Sequence, residues 1–304
     1  MLDTRLREKL AELESDIEKR TAQEISQIYC SAVRTGKPLL QTAEQVKAYA
    51  VCRMPATYAA ARFVFSDLMR VCSGQKIGSF LDIGAGTGAG LWAAITVFGD
   101  LNWLSVYEPQ REMQKLGEKL STFLPVKVNW LQKPNFPNAD VVFAGYVLNE
   151  VQNQDTFVQS LWNATKQFLI LVEAGTPTGF SYLLKAKQLL TGQGGFVVAP
   201  CSGNFACPCA DWCHFAVRVN RSKMHKFLKG GTAPYEDEKF SYLIVAKEEI
   251  KLDYHRIIRH PQISAGKITL KLCGKEGISK RTITKKDKSD FKTARKSNTG
   301  DIWK

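Results

Sequence analysis

At 304 residues, 44% of them hydrophobic, the chain is too long for one minimal domain and long enough for a full α/β core with small appendages. Its longest apolar run, Val141 to Leu148, is far too short to cross a bilayer, and an amino terminus charged in both signs excludes a secretory leader, so no membrane role is expected. The formal charge of +13 gathers at the far end: residues 251–304 hold fifteen Lys or Arg against five Asp or Glu. The commonest partner for such a footprint is a phosphate backbone; the plainer alternative is a solvated lysine-rich tail.

In chain order, residues 1–75 read as a helical region. Leu2, Leu6, Leu10, Leu13 and Ile17 recur at intervals of three and four with charges between them, one stripe of an amphipathic helix. A turn at Gly36-Lys37-Pro38 breaks the pattern, and a second helical run starts at about Thr42, with Pro55 expected at a helix start or kink. Cys30, Cys52 and Cys72 are isolated within these helices and read as packing residues.

From residue 76 to 250 the pattern alternates between strand and helix. The apolar run Phe80 to Ile83 enters the loop Gly84-Ala-Gly-Thr-Gly88, and Leu91 to Phe98 continues as helix. Glycines permit the tight turn and let backbone amides and the helix amino terminus approach a ligand. A second strand, Leu104 to Tyr107, ends in Glu108, where a carboxylate can accept both hydroxyl hydrogens of a ribose. The loop also satisfies the dinucleotide pattern, but Asp82 two residues before Gly84, with Glu108-Pro109 at the second strand, resembles the S-adenosylmethionine loop of class I methyltransferases. The cofactor-binding candidates are therefore Asp82, Gly84, Gly86, Gly88 and Glu108. Further strands are expected at Val126–Leu131, Ala139–Glu150, Phe168–Glu173, Phe196–Pro200 and Phe240–Lys247, completing a seven-stranded core.

Catalysis is less clearly written. The Asn or Asp followed by Pro-Pro and an aromatic that serves amino methylation is replaced after the fourth strand by GYVLNE, where Asn149 and Glu150 could line a site. Pro200-Cys201 and Pro208-Cys209 look like cytosine-5 nucleophiles, yet they follow the sixth strand and stand in a crowd of thiols. No catalytic residue is assigned.

The stretch Ala199 to Phe215, APCSGNFACPCADWCHF, holds four of the eight cysteines in an insertion over residues 200–239. In a reducing compartment clustered thiols ask for a metal. The spacing fits neither CxxC knuckles nor a C2H2 finger, so a zinc ribbon is disfavoured, while a [4Fe-4S] cluster needs a further ligand from elsewhere; cluster and zinc both stay available on spacing alone.

These runs, together with AYAVCRMPATYAA before the core, VEAGTPTGF after the fifth strand and the basic stretch following Arg218, are similar to the methyltransferase-like assembly factors of the mitochondrial small ribosomal subunit and their bacterial relatives, over about residues 45–275. The resemblance implies an α/β fold with a class I S-adenosylmethionine-dependent methyltransferase (Rossmann-like) core, an iron-sulfur insertion between the last two strands and a small basic β-rich extension at 251–304. It implies that Cys201, Cys207, Cys213 and Cys273 hold a [4Fe-4S] cluster. Cys209 is then the extra thiol, although the shortened loop leaves a swap with Cys207 available, and His214 packs beside a ligand.

The expected function is assembly of the small ribosomal subunit by a monomer that binds rRNA, with S-adenosylmethionine and a [4Fe-4S] cluster as cofactors. An active rRNA methyltransferase and a zinc-dependent RNA-binding module are the alternatives. The expected compartment is the bacterial cytoplasm, or the mitochondrial matrix in a eukaryote. Lys280, Arg281, Lys285, Lys286, Lys288, Lys292, Arg295 and Lys296, with five basic residues from Arg218 to Lys229, are expected to meet phosphates. The chain beyond Lys285 is expected to be disordered, and the cluster to be what staples the tail to the core.

Overall fold

The computed structural model describes residues 2–15, 17, 40, 42–209, 211–228 and 232–304. Cys30, the turn at 36–38 and Lys229 lie outside the described residues. Helix α1 (Thr4–Ser15) buries Leu6, Leu10 and Leu13, the stripe its spacing predicts. Helix α2 (Ala43–Val71) starts at a capping box: Gln45 N donates to Thr42 Oγ1 at 3.2 Å and Thr42 N donates to Gln45 Oε1 at 3.3 Å. It runs through Pro55 without ending. Its buried alanines, among them Ala48, Ala56, Ala60 and Ala61, let it lie close against the core, and Cys52 and Cys72 pack there as expected.

The main sheet is built from β1 (Ser79–Ile83), β2 (Trp103–Tyr107), β3 (Val128–Leu131), β4 (Ala139–Gly145), β5 (Thr165–Ala174), β6 (Phe196–Ala199), β7 (Phe215–Asn220) and β8 (Tyr235–Ala246). Its order is β3-β2-β1-β4-β5-β8-β6, with β8 antiparallel to both neighbours. The intervening helices are α3 (Ala89–Phe98), α4 (Arg111–Ser121), α5 (Gln154–Ala164) and α6 (Pro177–Gly192). Both faces of the sheet are covered, so its strands read as unbroken apolar runs. Alternate residues go to opposite layers: Phe80, Val141, Phe143, Phe168 and Ile170 to one, Leu81, Val142, Ala144, Leu169 and Leu171 to the other.

Strand β7 is absent from the sequence reading. Strand β8 is long enough to lie between β5 and β6 with its carboxyl half and to pair with β7 through its amino half. The cysteine-rich stretch is therefore the connection from β6 to β7, and a short helix, α7 (Lys223–Leu228), follows β7.

The tail is folded throughout. Strands β9 (His255–Ile257), β10 (Gln262–Ser264), β11 (Lys267–Gly274), β12 (Gly277–Thr284) and β13 (Ile302–Trp303) form a second sheet, with a 3-10 turn at Lys285–Asp287 and helix α8 (Lys288–Lys296) packed on β11 and β12. This corrects the expectation of disorder past Lys285. The charged sequence there carries enough apolar anchors to fold, because Ala294 and Trp303 join Ile257, Ile268, Leu270, Leu272 and Ile283 in a small core of their own. The tail aromatics pack as well: Phe291 lies against this core, and Trp303 is buried with the Arg281 guanidinium 5.4 Å from its ring.

Candidate cofactor loop and cysteine joint

The loop after β1 is shaped by Gly84, Gly86 and Gly88, whose φ values of 72°, 56° and 91° lie in the left-handed region that glycine enters without strain. Gly84 N and Ala85 N donate to Tyr107 O at 2.8 and 3.1 Å, which fixes the loop to the end of β2. Glu108 then clasps it: Oε2 accepts from Gly86 N at 2.8 Å and Oε1 from Gln110 N at 2.8 Å. A Cβ on Gly86 would meet open space, so the loop offers a bare backbone cradle there. The sequence-predicted residues Asp82, Gly84, Gly86, Gly88 and Glu108 are thus brought to one place at the carboxyl edge of the sheet, beside the switch point between β1 and β4.

Asp82 is fully buried, and its Oδ2 has no hydrogen-bond partner among the described residues. Burial, reinforced by the nearby Glu108 charge and opposed by the Leu91 amide, pushes its pKa up to about 8. Burial also raises Glu108, against the Gln110 and Gly86 amides that stabilise its charge, with Glu150 adding to the rise.

Across the switch point the edge is closed by the chain itself. Tyr146, immediately after β4, has φ 62° and its hydroxyl donates to Glu238 Oε1 at 3.2 Å. Arg53 from α2 grips the same carboxylate with both amino groups, at 3.0 and 3.3 Å. Burial acts to lower the Arg53 pKa, but the Glu238 carboxylate outweighs it and holds the guanidinium firmly charged. A Cβ on Gly84 would collide with Val147, which covers the loop from this side. A cavity of about 940 Å³ lies elsewhere, between α1, α2 and β7; none of the five loop residues lines it.

The cysteine joint follows β6. Cys209 is within hydrogen-bonding reach of Cys207, Cys213 and Cys273, and those three thiols, donating to it, favour its thiolate while their own pKa values rise. Cys201 is near enough to add its charge to the same group. The structure therefore sets all four sequence-predicted ligands near one another, and Cys209, set aside as the extra thiol, is electrostatically linked to each of them. Among the described residues no group of three or more His, Cys, Asp or Glu side chains has the arrangement of a bound metal ion. The donor set, five convergent thiols, still suits a thiophilic metal or cluster in kind; a group seated there would require Cys209 to ligate or to move aside. His214 stacks on Trp212, ring centroids 5.5 Å apart, which matches its expected packing role.

The backbone around the thiols is pinned. Trp212 Nε1 donates to Gly175 O at 3.0 Å, Ser241 Oγ to Cys213 O at 2.7 Å, and Ser202 Oγ to Tyr254 O at 2.9 Å. The strongest tie is Arg256 on β9, 2% exposed, which forms two 2.9 Å bonds to the Asp67 carboxylate of α2 and donates to Pro200 O at 2.9 Å and Gly300 O at 2.7 Å. Tyr242 donates to Asp67 Oδ2 at 2.7 Å and Tyr254 to Val198 O at 2.6 Å. Burial alone would raise Asp67; the Arg256 and Arg70 guanidinium groups reverse that and hold it below the usual carboxylate range.

This network is a tie the sequence reading did not foresee: the tail is fastened to the core by a buried ion pair and by Gly300 packed against Phe63, beside the expected cluster ligands. The sequence reading missed Asp67, Arg256, Tyr254, Arg53, Tyr146 and Glu238. A carboxylate on the apolar stripe of α2, between Phe65 and Leu68, is a signal that could have found the first. The basic run after Arg218 also reads differently in place, because Arg218 pairs with Asp237 at 3.1 Å and Arg221 with Glu236 at 3.2 Å. Two of those expected phosphate contacts are already neutralised.

The strand order, the antiparallel β8 and the glycine loop clasped by an acid at the end of β2 define a methyltransferase-like α/β protein. The chain belongs to the Rsm22 family, described as mitochondrial small ribosomal subunit Rsm22, whose model matches residues 43–304. It is 28% identical over 229 residues to the human ribosome assembly protein METTL17, mitochondrial, covering 66% of this chain and 48% of that protein. It is 26% identical over 357 aligned residues to Rsm22-cox11 tandem protein 2, mitochondrial, of Schizosaccharomyces pombe, covering 95% of this chain and 47% of that protein. The chain thus spans about half the length of these relatives. Among solved structures it resembles the plantazolicin methyltransferase BpumL in complex with SAH (15% identity, TM-score 0.43, 80% of this chain and 99% of that one) and a SAM dependent methyltransferase from Aquifex aeolicus (14%, 0.43, 69% and 100%). No helix among the described residues is long and apolar enough to cross a membrane.

Proposed function

We propose that the chain is an assembly factor of the small ribosomal subunit that binds rRNA through its tail and uses the methyltransferase-like core as a platform. The observation that carries this reading is the folding of the basic tail into a sheet fastened beside the cysteine joint, in a chain of the Rsm22 family. The names of its relatives place them in mitochondria and, for the human protein, in ribosome assembly; the same role is proposed here, with the partner being the assembling subunit.

Two cofactors belong to the proposal. S-adenosylmethionine would lie on the glycine cradle: Gly86 leaves room for it, Gly84 and Gly88 shape the turn around that opening, Glu108 would meet its ribose, and Asp82 lies buried beneath the loop. When bound it supplies an electrophilic methyl group. A [4Fe-4S] cluster would be held by Cys201, Cys207, Cys213 and Cys273, with Cys209 beside them.

The closure of the carboxyl edge by Arg53, Glu238 and Tyr146 supports a binding role over catalysis, since these side chains stand where an acceptor would approach. The complete loop motif favours the second reading, an active rRNA methyltransferase. One experiment on anaerobically purified protein separates the readings: iron, labile sulfide and zinc are assayed, together with methyl transfer to small-subunit rRNA. Iron and sulfide without zinc, lost in Cys273→Ser and kept in Cys209→Ser, and no methyl transfer beyond that of an Asp82→Ala/Glu108→Ala variant, are the expected results. Zinc without sulfide overturns the cluster, and methyl transfer dependent on Glu108 overturns the binding role.

A further inference from the structure

The β11–β12 hairpin has two unlike faces. One carries Ile268, Leu270, Leu272 and Ile283 into the small core. The other, by register, sets Lys267 opposite Thr284, Thr269 opposite Thr282 and Lys271 opposite Lys280. Lys267, Lys280 and Thr282 are exposed, and Thr269, Lys271 and Thr284 are half-buried. Thr269 Oγ1 and Thr282 Oγ1 are 3.2 Å apart, so the threonines form a hydroxyl row between the lysines. The charges here differ from others on the tail. Arg281, on the opposite face, is paired with Asp290 at 3.1 Å, and Asp287 is engaged by Thr284 N and Oγ1, whereas no ion pair reaches Lys267, Lys271 or Lys280 among the described residues.

Two ammonium groups directly opposite on neighbouring strands repel each other and destabilise a sheet. A feature that lowers stability with no compensating contact points to a role outside folding. The composition of the face chooses the partner. Cores of protein interfaces are depleted in lysine and anchored by aromatic and apolar side chains, and this face, over residues 267–271 and 280–284, has three lysines, three threonines and no aromatic, with Ile278 and the buried Cys273 confined to its turn end. Ammonium and hydroxyl donors without stacking rings are what a phosphodiester backbone takes, with no reading of base sequence.

We infer that this face is the docking surface for an RNA backbone, with Lys271 and Lys280 straddling phosphates; the assignment rests on, and localises, the rRNA-binding reading above. Phosphate charge between the two ammonium groups turns their repulsion into attraction, so RNA binding and hairpin stability are coupled.

The test is a titration of the full chain with a small-subunit rRNA transcript and with polyuridylate across a salt series, comparing wild type with Lys271→Gln/Lys280→Gln. Each lost phosphate contact removes about 0.7–0.9 from the slope of log affinity against log salt, so the double variant is expected to lower the slope by about 1.4–1.8 and to bind roughly tenfold more weakly on both RNAs. Its melting temperature is expected to equal or exceed that of wild type, because a like-charge pair has gone. Should the double variant fold poorly, Lys280→Gln alone is expected to remove half of the slope change. Wild-type binding with an unchanged slope in the variants overturns the docking surface and leaves the rRNA reading standing. Wild type that binds neither RNA overturns both, and a wild-type dimer lost in the double variant identifies a second copy as the occupant instead.

Discussion

The carboxyl edge of the main sheet and the outer face of the tail hairpin are opposite in character. At the first, where the fold would do chemistry, the chain satisfies its own groups: Glu108 accepts loop amides, and Arg53, Glu238 and Tyr146 bind one another. At the second, charges are left opposed and unpaired. On the proposed reading, the capacity to engage a partner lies on an appended sheet instead of at the strand ends, with the core as its support. Between them lies the buried Asp67–Arg256 pair, which ties the tail sheet to the helix packed on the core.

The largest way to break the comparison is to cut that link. Removing one partner of a buried pair leaves the other charge stranded, so Arg256→Ala and Asp67→Ala are each expected to lose about 3–5 kcal/mol in denaturant unfolding, and replacement of both by apolar residues is expected to lose much less. The pair also sets an acid limit. Because the folded-state pKa of Asp67 is depressed, its stabilisation is fully present above the unfolded value of about 3.9 and fades as pH falls through the lower folded value.

A pH-dependent effect, modest over any one unit, separates the cofactor edge from the rest. With Asp82 raised to about 8, the folded state binds one more proton than the unfolded between about pH 4 and pH 8. Stability is therefore expected to fall with rising pH by up to about 1.4 kcal/mol per unit across that window, and Asp82→Asn is expected to remove the slope in melts taken at several pH values. An unchanged slope would mean that Asp82 is ionised at neutral pH and finds a partner in solution. The smallest effect belongs to the exposed tail pair: Asp290→Asn should shift unfolding by less than about 0.5 kcal/mol while strengthening RNA binding slightly by removing a negative charge.

Much of this was readable from the residues. The seven core strands announced themselves as apolar runs because both faces of the sheet are covered, and the glycine loop with Glu108 needed only local spacing. The convergence of Cys273 on the joint followed from the family resemblance. What escaped depends on distant pairing. Strand β7 alternates Phe215, Val217 and Val219 with Ala216, Arg218 and Asn220, but Arg218 and the adjoining Arg221 drew attention to charge, and their partners Asp237 and Glu236 lie beyond α7 on the next strand. Helix α8 looked like solvated chain, since only Ala294 and Phe291 betray a packed face. Arg256 read as one more basic residue because its carboxylate is 189 positions away.

That separation has a consequence for how the chain is made. Asp67 leaves the synthetic machinery well before Arg256, an interval of about 10–40 s at ordinary rates of elongation. During it, the carboxylate on the apolar stripe of α2 has only the half-buried Arg70, one turn along the same helix, as its countercharge. A product cut short before the tail therefore leaves that carboxylate with Arg70 alone, so the buried pair doubles as a marker that synthesis has passed the first strand of the tail.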